Sequence, residues 1–129
     1  MYSKEEKKVI DYSRAAIIKR ADFFNQAALR HPEVAENFNA LAEASRDMAK
    51  LVYVAPGEED PKLLQKVAEN YAPNLQAVML KGIENPELLE ELKESQQVVK
   101  QALDDAEAEH PELVPVRIAL QKKHNAAPK

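Results

Sequence analysis

The 129-residue chain is 45% hydrophobic and 31% charged, the balance of a folded domain, and its length suits one domain with one buried core. It has no cysteine, which excludes disulfides, thiolate zinc sites and a cysteine nucleophile. No apolar run approaches the roughly 18 residues that cross a bilayer, and a net charge of −4 argues against nucleic acid, which wants clustered Lys and Arg. The opening Met-Tyr-Ser-Lys-Glu-Glu-Lys-Lys-Val carries no apolar signal core, so a cytoplasmic setting without membrane contact is expected.

Only two glycines occur, and alternating β-branched runs are missing, so the chain reads as all-α. Four punctuation marks divide it: His31-Pro32-Glu33, Asp60-Pro61, Asn85-Pro86-Glu87 and His110-Pro111-Glu112. Each sets a cap-type residue before a proline at the first helical position, where a missing N–H costs nothing.

The first helix is expected from about Ser3 to Arg30. Ser3 and Glu6 fit a capping box, and Ile10, Ile17, Ala21, Phe24 and Ala28 share one face. The second is expected from about Glu33 to Val54, with Val34, Phe38, Leu41, Ser45, Met48 and Val52 on its stripe and Pro56-Gly57 as its stop. The third starts at Pro61 and turns Leu64, Val67, Ala68, Tyr71, Leu75, Val78 and Met79 inward. Pro73 predicts a kink or break near Tyr71, and Gly82 a left-handed ending. The fourth runs from Pro86 to about Glu109 over Leu88, Leu89, Leu92, Val99, Ala102, Leu103 and Ala106. Pro115 opens a short last helix, Val116 to about Lys123.

These elements predict an antiparallel bundle of four long helices plus a short C-terminal one, a single domain over residues 1–124, and a frayed tail, 125–129. Charge is uneven along it. Residues 84–112 hold ten acids against Lys93 and Lys100, and residues 4–30 hold seven bases against four acids. A charge run is ordinarily a solvated face, though an acidic one also suits a basic partner.

Convergent chemistry is hard to find. His31, His110 and His124 all fall at helix ends, where cap or turn residues belong rather than a general base. Glu107-Ala-Glu-His110 has the Glu-x-x-His spacing of di-iron bundles, but the second copy that such a site needs is missing. Phe23, Phe24, Phe38, Tyr53 and Tyr71, with Met48 or Met79, are candidates to line a haem-sized cavity, although such residues at helical spacing usually form core. Tyr2 and Tyr12 are expected to be partly exposed. No enzyme activity, metal or cofactor is expected, which leaves protein binding.

One stretch carries a family signal. Phe38-Asn39-x-Leu41, then Ser45, Leu51 and Tyr53-Val54-Ala55, resembles the N-terminal helical domain of cyclase-associated protein, with Tyr53 where that family has Trp. Tyr71-Ala-Pro-Asn74 is similar to the family's aromatic segment ending in Asn-Arg, with Leu75 in place of that arginine. The segment Phe24 to Arg30 stands where the family has a basic helix end. The resemblance implies a non-catalytic bundle that binds cofilin-decorated actin and aids filament turnover, with Arg30 and Asn74 as partner-binding residues. The alternative is an engineered bundle, without native function or with a small-molecule pocket, since the cap-Pro-Glu starts and Ala/Glu/Lys/Leu-rich surfaces follow design rules.

Overall fold

The computed structural model describes residues 2–54 and 58–126. The described residues form five helices and no strand: α1 (Lys4–Arg30), α2 (Ala35–Leu51), α3 (Pro61–Glu84), α4 (Pro86–Glu109) and α5 (Val114–Ala126), with 3-10 turns over Pro32–Val34 and Pro111–Leu113. The all-α expectation holds.

Helix starts follow their local chemistry. The Ser3–Glu6 capping box closes as expected, the Glu6 N–H donating to Ser3 Oγ at 3.1 Å and the Ser3 N–H to Glu6 Oε1 at 2.8 Å. Asp60 and Asn85 cap α3 and α4 through their side chains, accepting from the N–H groups of Lys62 and Glu87. His31 and His110 do not cap by side chain. After each of them the chain makes a 3-10 turn, so α2 begins at Ala35 instead of Glu33, and α5 at Val114 instead of Val116. Lacking a side-chain acceptor at the start, the first turn tightens and satisfies its own carbonyls at i+3.

Helix ends depart further from expectation. α2 stops at Leu51, because Val52 is extended and Tyr53 adopts a left-handed φ of 57°. The Pro56-Gly57 stop lies outside the described residues. α3 runs unbroken through Pro73. Proline cannot donate to the Glu69 carbonyl, but neighbouring polar groups tie the turn: Asn74 Nδ2 donates to the Asn70 carbonyl at 2.6 Å, and Asn37 Nδ2 on α2 donates to Asn74 Oδ1 at 3.0 Å. Gly82 does not end the helix, which continues to Glu84. Its role is proximity, since a Cβ there would stand 2.5 Å from Cδ2 of Leu89. Asn125 belongs to α5, not to a frayed tail, whereas residues 127–129 lie outside the described residues.

α1 packs against α2 and α4, and α3 against the same two helices, while α5 lies on α1. The core has two parts. One joins Ala21, Phe24 and Ala28 of α1 with Phe38, Leu41 and Ala42 of α2, Val78 of α3 and Leu88 of α4. Phe38 and Leu41 are fully buried there, as the stripe of α2 requires, and Phe24 stacks on Phe38 with ring centroids 6.0 Å apart. The second part, at the other end of α1, gathers Val9, Ile10, Leu113 and Leu120, with Tyr2, Tyr12, Tyr53 and Val116 against them. Tyr2 and Tyr12 are half-buried; the hydroxyl of Tyr2 donates to the Tyr53 carbonyl.

Candidate functional site

Arg30 and Asn74, the two residues nominated by resemblance, each bond to a neighbouring helix and stand on different helix pairs, Arg30 with 47% of its side chain exposed. Arg30 closes α1 onto α4. Its Nε lies 2.8 Å from Glu91 Oε2 and its Nη2 3.1 Å from Oε1, a two-pronged pair, while the guanidinium sits 5.3 Å from the Phe23 ring centroid. The hydrogen bonds that Arg30 donates to Glu91 raise the Arg30 pKa. His31 Nε2 stands 3.2 Å from Glu91 Oε2. Glu87, Glu90 and Glu94 surround this junction in a shallow acidic hollow of about 250 Å³. Asn74 ties α3 to α2 through Asn37, as described above.

A second polar junction was not foreseen. Arg20 on α1 donates from Nε to the buried Ser45 Oγ of α2 at 3.2 Å and sits 5.9 Å from the Tyr71 ring centroid of α3. Burial lowers its pKa, because the charged form loses hydration. Asp47 of α2, 4% exposed, lies 3.4 Å from Nζ of Lys66 on α3, which also reaches Glu43 at 2.9 Å. The signal for these residues was legible. Ser45 and Asp47, like Glu91 and Ser95, are polar groups on or beside an apolar stripe, and a stripe at helical spacing carries whatever it holds into the interior.

The remaining candidates have structural occupations. His31 is buried at the Glu91 junction, and His124 packs its ring edge-on to Tyr53 within α5. Glu107 is ion-paired with Arg117, and His110 Nδ1 faces Glu112 at 3.3 Å. No group of three metal-ligating side chains converges among the described residues. The five aromatic candidates divide between the two core parts, with Phe23, Phe24, Phe38 and Tyr71 in the first and Tyr53 in the second. They do not converge on one hollow.

What lies uncovered is the outside of α3. Leu64, Ala68 and Met79 were expected inward, yet Leu64 is 45% and Met79 49% exposed. Leu80 and Ile83 stand out further, at 67% and 76%, and Leu89 of α4, also expected in the core, is exposed beside Gly82. α3 is apolar on more than one face, and two neighbouring helices cover only one of them. A run of large apolar side chains along one helix makes a larger exposed apolar patch than scattered single residues do.

No described helix is long and apolar enough to cross a membrane. Comparison of the chain with protein-family models, curated proteins and solved structures found no match.

Proposed function

We propose that this chain is a non-catalytic, antiparallel four-helix bundle closed at one end by α5, and that it works by binding protein through the outer face of α3. The antiparallel order is supported by cross-helix pairs whose numbers run in opposite directions. Arg14, Arg20 and Asn25 of α1 meet Val52, Ser45 and Asn39, and Lys66 and Asn74 of α3 meet Asp47 and Asn37. The binding reading rests on one observation, the exposure of Met79, Leu80 and Ile83 together on α3.

Following the resemblance at Phe38 to Ala55, actin carrying cofilin is the partner to test first. Those matching residues face mostly inward, and Arg30 and Asn74 spend their hydrogen bonds within the bundle, so the contact on this chain is assigned to α3. Co-sedimentation with ADP-actin, with and without cofilin, should bring the chain into the pellet, and Ile83→Glu should release it. Absence of binding at roughly tens of micromolar removes actin as the partner. Binding that survives Ile83→Glu and Leu80→Glu removes α3 as the contact face.

A further inference from the structure

We propose that the seam between α1 and α2 binds a small anionic amphiphile, a molecule with one carboxylate, sulfonate or phosphate group on a short apolar body. The site stands apart from α3, the contact face assigned above.

It is a hollow of about 340 Å³ walled by Arg14 and Ile18 of α1 and by Arg46, Ala49 and Lys50 of α2. That volume lies at the small end of ligand pockets, which run from roughly 300 to 1,000 Å³. Arg46 and Lys50 stand one turn apart on α2, so two cations share one flank of that helix, and Arg14 meets them from across the seam. Like charges at that spacing repel, and no carboxylate stands among the described residues of the wall to relieve them. The rest of the wall is apolar: Ala49 is buried, and Ile18 leaves 43% of its surface open.

The bonds of the three cations show how much charge is left over. Arg14 has no acid partner among the described residues, and its Nη2 donates only to the Val52 carbonyl, at 3.3 Å. Its Nε is buried without an acceptor, so the guanidinium has lost water on one edge and gained no anion. Lys50 reaches Asp47 Oδ1 at 3.5 Å, but Lys66 claims the other oxygen of that carboxylate at 3.4 Å. Arg46 bonds Asp22 at 3.0 Å and Asn25 at 2.6 Å, both through Nη2, which leaves Nη1 and Nε for another acceptor. The surplus follows the composition of α1, with seven bases against four acids across residues 4–30.

An anion seated here receives charge-assisted hydrogen bonds from the guanidiniums, while its apolar body covers Ile18. Neither half suffices alone. A bare anion gains little from cations that water still screens, and a purely apolar molecule would dehydrate those cations without pairing them.

Titration of octanoate into the full, isotope-labelled chain should move the backbone amide resonances around Arg14, Ile18, Arg46 and Lys50, with a Kd below about 1 mM. Octylammonium, with the same tail and the opposite charge, should leave them in place. Acetate, which lacks the tail, should bind at least about tenfold more weakly. Arg14→Gln should weaken octanoate about tenfold, and Arg14→Lys should recover part of the loss. Ile18→Ser, at an exposed position that the fold tolerates, should weaken it as well, with the circular dichroism unchanged. Arg14→Glu together with Lys50→Glu should reverse the preference toward octylammonium. Failure of octanoate to saturate by about 10 mM overturns the proposal. Equal responses to octanoate and octylammonium overturn it too, as do shifts centred on Leu80 and Ile83 of α3. Binding to phosphatidylserine vesicles without binding to octanoate also overturns it, because the partner is then a membrane surface and not a free anion.

Discussion

α2 and α3 each have two helical neighbours, yet they treat their apolar residues differently. On α2, Phe38, Leu41, Ala42, Ala44 and Ala49 are all buried. On α3 the buried residues are Val78 and Gly82, with Tyr71, Leu75 and Val67 half-covered, and the most exposed large hydrophobics among the described residues include its Leu80 and Ile83. The difference comes from where the apolar residues sit. Those of α2 are confined to one side, with Glu36, Glu43, Arg46 and Lys50 opposite, so packing consumes them. Those of α3 surround the helix, and neighbours on one side leave the rest in water. An apolar stripe states what a helix wants to bury; the number and placement of its neighbours decide how much it buries.

Three substitutions test that contrast. Phe38→Ala removes a fully buried ring that stacks on Phe24, and the loss of transfer energy plus the cavity should cost about 3–5 kcal/mol in a urea titration. A loss below about 1 kcal/mol would mean that the α2 stripe is not the centre of the core.

On α3 the tight contact is the one toward α4. Gly82→Val should cost about 1 kcal/mol, because a Cβ there meets Cδ2 of Leu89 at 2.5 Å and the Leu89 side chain must shift to make room. Measured in a Leu89→Ala background the same substitution should cost clearly less. Equal costs in both backgrounds would place the strain elsewhere than this helix pair.

The smallest effect belongs to the outer face. Ile83→Ala should change stability by no more than about 0.5 kcal/mol, since its side chain has little to lose. A cost above about 2 kcal/mol would mean that Ile83 is packed within the bundle and that no free face exists on α3.

Much of the fold could be read from local chemistry. The Ser3–Glu6 box, Asp60 and Asn85 mark real helix starts, and α1, α3 and α4 begin where their cap residues say, because capping is settled within four residues of chain. Helix ends were less legible. α3 continues through Pro73 with Asn37 of α2 bonded to Asn74 beside it, and α2 ends early at the left-handed turn of Tyr53, whose carbonyl receives the hydroxyl of Tyr2 from fifty-one residues away. Such bonds join distant parts of the chain and leave no local pattern.

The candidate site shows the same division. Nothing in the spacing of α3 distinguishes Leu75, half-covered, from Met79 and Ile83, exposed, since all are apolar at helical intervals. Likewise Arg30 and Asn74 matched a partner-binding pattern by position, while their hydrogen bonds run to Glu91, Asn70 and Asn37.

The amino-acid sequence by itself determined that the chain is helical, where most helices begin, and which stripe of α2 forms the core, because propensity, capping and periodicity act over a few residues. Tertiary structure alone decided which of α3's several apolar faces stays uncovered, how closely Gly82 meets Leu89, and how Glu91 finds Arg30 at burial. Those outcomes depend on which helices lie beside one another, and contacts between helices far apart in sequence exist only once the chain has folded.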